Sequence, residues 1–266
     1  MISAGMLRDV WAYRGFIMAS VRREFNSKYL RTQFGFLWII IQPLSMITIY
    51  TLVFAEIMKP SLPGHASKFA YSIYLCAGVL TWGFFSELLG RSVGIFVQNA
   101  NLLKKASIPK LCLPIIVILS SLTNYAIIMA IFITFLILTG NFSGFPLIAA
   151  LPVAAIIGAL AIGLGILLGT INVFYRDVEQ TMGIVLQFWF WLTPIVYVSK
   201  TLPGFAAGFL KLNPMWPLID AMHTIFLDGR FPGWTSLIYP AVLSAALVYL
   251  GMFAFWKLNG EIVDEL

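Results

Sequence analysis

The chain has 266 residues, of which 60% are hydrophobic and 11% charged, with a formal net charge of +6 and a mean hydropathy of +0.91. These values exclude an ordinary soluble domain and place the chain among proteins whose solvent is the lipid bilayer. Membrane insertion and contact with anionic lipid account for much of the basic excess, which leaves no argument for a nucleic-acid partner.

Positions 1–33 carry too many charges to cross a membrane. Val10, Trp11, Ile17, Met18, Val21 and Phe25 share one helical face, with Arg8, Arg22, Arg23 and Asn26 outside it, so an amphipathic interfacial helix is expected there. Arg14 interrupts the stripe and has to snorkel. No signal peptide is expected, because charges run through this stretch without a compact apolar core.

A spanning helix needs roughly 20 mostly apolar residues. Six charge-poor stretches meet that need, at about 34–57, 70–89, 111–138, 147–171, 181–199 and 235–256. Leu111 to Tyr175 runs for 65 residues without one Asp, Glu, Lys or Arg, which is two crossings joined by a short turn at 140–146. No recurring strand-length alternation suggests a barrel, so the spans are expected to be helices that satisfy their own backbone.

Between the second and third spans lies a basic polar island, 91–110. Val93, Phe96, Ala100 and Leu103 fall on one helical face, and Ser107-Ile108-Pro109 ends the helix, so a short docking helix is expected. The fourth span repeats small residues at Ala154, Gly158, Ala161, Gly165 and Gly169, a face for close helix packing within the subunit or between copies. The second polar loop, 172–180, holds Tyr175, Arg176 and Asp177. Region 200–234 is punctuated by Pro203, Gly204, Gly208, Pro214, Pro217, Gly229, Pro232 and Gly233, with apolar pieces too short to span, which suggests a re-entrant hairpin.

The expected fold is therefore all-α and integral to the membrane: six transmembrane helices, an N-terminal amphipathic interfacial helix, and an outer re-entrant helical hairpin before the last span. With both termini inside, 12 of the 17 Lys and Arg lie on inner segments, and only Lys59, Lys68, Lys200, Lys211 and Arg230 lie outside. The positive-inside rule favours that orientation.

Motifs for self-contained chemistry are missing. The sequence has no GxxxxGK[ST] phosphate loop, no HExxH and no CxxC, and only two histidines. Gly90-Arg91-Ser92-Val93-Gly94 matches a nucleophile elbow only literally, because that motif needs a strand-turn-helix. Cys76 and Cys112 read as small packing residues. No ionisable residue sits at a span centre, where a proton or ion relay would be expected. A pump built this way draws its work from elsewhere; the alternative is a self-contained secondary transporter or channel.

Read in order, Lys28 to Trp38 with Gln42-Pro43, Asn101 to Lys105 with Ile108-Pro109-Lys110 and Leu113-Pro114, Tyr175-Arg176-Asp177-Val178, Pro194 and Asn213-Pro214 resemble the ABC-2 type permeases that export polysaccharides such as O antigen, capsule or teichoic acid. The resemblance covers about 7–260; Asp220 and His223 stand where that family more often shows Glu and Arg. It implies a single ABC-2 type transmembrane domain over 1–266, homodimeric, in the bacterial inner membrane, resting on two copies of a cytosolic ABC ATPase. This chain would bind no cofactor, and ATP and magnesium would sit on the partner.

On that resemblance, Phe96, Asn101, Leu102, Leu103, Lys104, Lys105, Tyr175, Arg176 and Asp177 are expected to couple to the ATPase. Arg22, Arg23, Lys28 and Arg31 supply positive charge for a lipid diphosphate. Phe188, Trp189, Trp191 and Tyr197 are expected along the glycan path. Asn213, Pro214, Asp220 and His223 mark the re-entrant segment, with Asp220 and His223 a candidate polar pair.

Overall fold

The structure is a computed structural model describing residues 11–29, 37–53, 69–105, 109–197, 208, 210–258 and 260–265. Arg8, Val10, Arg31, the flanks of the first expected span and most of the first arm of the expected re-entrant hairpin lie outside the described residues.

The described residues are helical, with elements α1 (Arg14–Tyr29), α2 (Leu37–Tyr50), α3 (Ala70–Gln98), α4 (Ala100–Lys105), α5 (Cys112–Leu138), α6 (Ala150–Phe174), α7 (Asp177–Leu192), α8 (Met215–Phe226), α9 (Ile238–Leu258) and α10 (Glu261–Glu265). Short 3-10 segments, Phe145–Ala149 and Trp234–Leu237, lead into α6 and α9. Four segments are long and apolar enough to cross a bilayer: Ala70–Gln98, Cys112–Leu138, Phe145–Phe174 and Trp234–Leu258. The helices within the first and fifth expected spans, α2 and α7, are shorter, at 14 and 16 residues.

The hub is α3, which touches α2, α5, α6, α7 and α8. Its side chains mix aromatic bulk with small residues, which lets its neighbours approach at different distances. The glycine face of α6 turns inward onto α3: a Cβ at Gly169 would sit 2.6 Å from the Ser92 carbonyl oxygen. On the opposite side α6 meets α9, where a Cβ at Gly251 would lie 2.6 Å from the Gly163 carbonyl oxygen. The small-residue face therefore serves packing within the subunit, where close backbones bring dispersion contacts that larger side chains would block.

Several expectations about boundaries change. The island 91–110 does not begin as a separate loop: Arg91 to Gln98 are the last two turns of α3, and the break comes at Asn99, whose side chain donates to the Ile95 carbonyl. At the other end α7 stops at Leu192, short of the expected 199. Pro194 has no N–H and forces Thr193 into an extended conformation (φ −106°, ψ 132°). The chain then folds back onto the start of α3, where the hydroxyls of Tyr71 and Tyr74 donate to the carbonyls of Val196 and Tyr197 at 2.7 and 2.8 Å.

The apolar stripe of α1 is also divided. Ile17 packs into a small buried cluster with Cys112 and Ile116 of α5, and Val21 borders it, while Trp11 and Met18 are exposed. The helix has one face on protein and another free for lipid, where one continuous stripe was expected.

Candidate functional site

Two surfaces collect the residues singled out by the sequence. The first comprises α4 and the α6–α7 turn, and Gln98, just before α4, bonds to Glu179 in the first turn of α7. Tyr175 is 70% exposed, and Arg176, Asp177, Asn101 and Lys104 are exposed with it. They make a polar surface suited to a soluble partner. Leu102 and Leu103 are half-buried against the core, so they hold α4 down. The backbone of Lys105 closes α4.

The place expected for Phe96 is corrected. It is fully buried and stacks on Phe255 with ring centroids 5.6 Å apart, and Val93 beside it is buried too. The stripe Val93-Phe96 faces the core because the helix continues from the membrane and keeps the same inward face. Ser92 is buried in that helix and donates to the Leu88 carbonyl at 2.6 Å, so no nucleophile elbow exists.

A buried side chain that drew no attention in the sequence, Asn172, stitches this end together. Its Oδ1 accepts the backbone N–H of Glu179 in the first turn of α7, and its Nδ2 donates to the Val93 carbonyl of α3 at 3.3 Å. Gln98 at the end of α3 donates to the Glu179 carboxylate at 2.8 Å. The two polar loops are thus joined through one residue pair and one buried amide. The local sequence around Asn172 gives no signal of this kind, because its partners lie on two other helices, 7 and 79 positions away.

The second surface is on α7. Ile184, Val185, Phe188, Trp191 and Leu192 share an exposed face, with Phe188 67% and Trp191 61% exposed. Trp189 is corrected: it turns inward, its ring edge-on to Phe85 at 5.2 Å and to Trp82 at 6.1 Å, and its indole N–H donates to Asn213 Oδ1 at 2.8 Å. The Tyr197 hydroxyl donates to the Trp191 carbonyl at 3.0 Å and so braces the end of α7.

Asn213 is a junction. Besides the Trp189 bond, its Oδ1 accepts the Met215 amide at 3.0 Å and its Nδ2 donates to Thr193 Oγ1 at 2.9 Å, tying the end of α7 to the start of α8. Pro214 occupies the N-cap position of α8, where a missing N–H costs nothing. His223 is buried and stacked on Tyr74, ring centroids 3.7 Å apart, whereas Asp220 stands on the exposed side of the same helix. The expected pair therefore has its members in opposite surroundings. His223 acts as a flat packing residue against Gly78, where an added Cβ would lie 2.9 Å from its Nε2.

Arg22 and Arg23 project from α1 and are exposed, with Arg23 also donating to Ser20; Lys28 lies in the last turn. Glu24, on the inner side of the same helix, pairs with Arg91 of α3 at 2.5 Å, and Arg91 lies 3.9 Å from Glu87. Asn124 of α5 donates to Glu87 at 2.7 Å. This cluster fixes α1 against the bundle.

Apolar helices of spanning length with polar surfaces at their ends define a multi-pass helical membrane protein. Residues 16–227 match the ABC-2 type transporter family, and the chain belongs to that family. Across 263 residues it is 26% identical to the O-antigen export system permease protein RfbA of Myxococcus xanthus, covering 98% of this chain and 99% of the relative. It is 25% identical over 252 residues to an RfbA of Klebsiella pneumoniae, covering 94% of each. The polysialic acid transport protein KpsM of Escherichia coli is 20% identical over 235 residues, with 86% of this chain and 88% of that one covered.

Proposed function

We propose that this chain is the permease subunit of an ATP-driven exporter that moves a lipid-linked polysaccharide, of the O-antigen or capsule kind, across the bacterial inner membrane. The observation that carries this reading is the end-to-end match to relatives named as O-antigen export permeases. In this reading both termini are cytoplasmic, six helices span, the segment around α8 is the second arm of an outer re-entrant hairpin, and two copies flank the path.

A separate ABC ATPase supplies the work. Its seat is formed by Asn101, Lys104, Tyr175, Arg176 and Asp177, whose exposure supports docking. Arg22, Arg23, Lys28 and Arg31 attract the lipid diphosphate at the inner face. Phe188 and Trp191 offer flat faces on which sugar rings slide.

The test is isolation of the chain from its native membrane with any soluble ABC ATPase that copurifies, followed by reconstitution of the two in proteoliposomes. The expected result is a stable complex whose hydrolysis rises with lipid-linked glycan, and loss of that rise in Arg176→Ala. Glycan flux from this chain alone, without nucleotide, overturns the proposal in favour of a self-contained carrier.

A further inference from the structure

Helix α4 carries part of the seat proposed for the ATPase, with Asn101 and Lys104 exposed. It is six residues long. A helix that short does not persist in water on its own, because fixing its first turn costs more than the few hydrogen bonds return. Its position therefore has to come from what it packs against.

The chain leaves helical geometry at Asn99 (φ −106°, ψ 18°), so α4 is a separate helix and not an extension of α3. The amides of Leu102 and Leu103 both donate to the Asn99 carbonyl at 3.0 Å, which pins only the first turn. Leu102 and Leu103 then pack against the hydrophobic core.

A second support reaches α4 from far along the chain. Helix α10, the last described element, lies against both α4 and α6. At five residues it too depends on packing. Ile262 is fully buried in the same core that Leu102 and Leu103 pack against, whereas Glu261 and Glu265 are exposed. Just before it, Phe255 stacks on Phe96 of α3 and so fixes the end of α9 from which α10 departs. The other neighbour of α10, α6, ends at Tyr175, where the rest of the proposed seat begins. One short helix thus adjoins the supports of both parts of the seat.

We infer that α10 is a wedge that sets the spacing of α4 from α6, with Ile262 the positioning residue that seats it. The consequence for coupling rests on the ATPase seat proposed above; the packing does not. With Ile262 in the core, Asn101 and Lys104 are presented to the partner in register with Tyr175, Arg176 and Asp177. Without it, α4 loses its apolar support and frays.

The experiment compares hydrogen exchange in the full-length purified protein with that in Ile262→Ser, Ile262→Leu and Glu265→Gln, all in one detergent. Ile262→Ser should speed exchange of the α4 amides about tenfold and leave α5 and α6 unchanged, because a short helix opens locally once its packing is gone. Ile262→Leu keeps an apolar side chain of equal size, and Glu265→Gln lies on the exposed side, so both should exchange as the unaltered protein does. If Ile262→Ser does not melt as the unaltered protein does, Ile262→Ala takes its place. Unchanged α4 exchange in that variant overturns the inference, as does equal acceleration by Glu265→Gln. In proteoliposomes with the copurified ATPase, Ile262→Ser should lower glycan export per ATP severalfold, and Ile262→Leu should preserve it. Faster exchange with an unchanged export ratio overturns the positioning role. An unaltered chain that retains no ATPase overturns the proposed seat instead, and the exchange result still decides whether α10 holds α4.

Discussion

The Oδ1 of Asn172, at the end of α6, accepts the backbone N–H of Glu179 in the first turn of α7 at 3.0 Å. Because the same side chain reaches Val93 of α3, a force on the turn carrying Tyr175 and Arg176 is delivered to α3 without slack. Asn172→Ala leaves the Glu179 amide in the first turn of α7 without its acceptor and removes the second bond to the Val93 carbonyl, at a cost of about 1–3 kcal/mol. In the reconstituted complex we expect ATP hydrolysis to persist while glycan export per ATP falls severalfold. A ratio of export to hydrolysis equal to that of the unaltered protein would remove Asn172 from the coupling path.

The close approach of α6 to α3 gives a sharp contrast between glycines. A Cβ at Gly169 meets the Ser92 carbonyl, so Gly169→Ala should lower stability by about 1–3 kcal/mol as the backbones separate. Gly90 has open space around its Cβ position, and Gly90→Ala should be neutral or stabilising by about 0.5 kcal/mol. Melting of the two purified variants in one detergent checks the pair; equal melting temperatures would contradict the packing described.

The aromatic residues of α7 should separate into two classes. Trp189→Ala removes an inward ring and one of the two hydrogen bonds to Asn213 Oδ1, and a loss of about 3 kcal/mol is expected from the vacated space. Phe188→Ala and Trp191→Ala, on the exposed face, should leave melting unchanged but slow polymer export. Thermal melting and export assays on the same preparations decide this; slowed export with Trp189→Ala alone would place the path elsewhere.

The pair Glu24–Arg91 holds α1 to the bundle although both side chains are partly exposed. A double-mutant cycle with Glu24→Gln and Arg91→Met should give a coupling of about 0.5–1 kcal/mol, the range for pairs open to water. Proteolysis near residue 27 should quicken in each single variant. An unchanged cleavage rate would mean that Ile17 and its neighbours hold the helix alone.

Much of this arrangement was legible in the sequence. The 65 residues without a charge between Leu111 and Tyr175 could only be membrane helices, and the positions of α5 and α6 follow from them. The proline-glycine spacing of 200–234 likewise anticipated a short helix at α8. The direction of a face was harder to read. Val93 and Phe96 lie on a stripe that looks the same whether it meets a partner or the protein's own core, and the core won because α3 runs on without a break. Trp189 differs from Trp191 only in which side of α7 it occupies, a difference set by Phe85 and Asn213 from other elements. Asn172, Glu24 and Glu87 acquire meaning only from neighbours 7 to 79 positions away, which no local pattern encodes.

At 29 residues, α3 is about 44 Å long, more than the hydrocarbon it crosses. Its C-terminal end is tied to Glu179 through Gln98, and its N-terminal end holds the strap 194–197 through Tyr71 and Tyr74. A helix gripped at both ends works as a lever: a tilt of about 5° sweeps one tip roughly 4 Å relative to the other over that length. Motion imposed at the polar loops would thus reach the far mouth of the bundle as a displacement of the strap, in a single rigid step with no relay of intervening side chains.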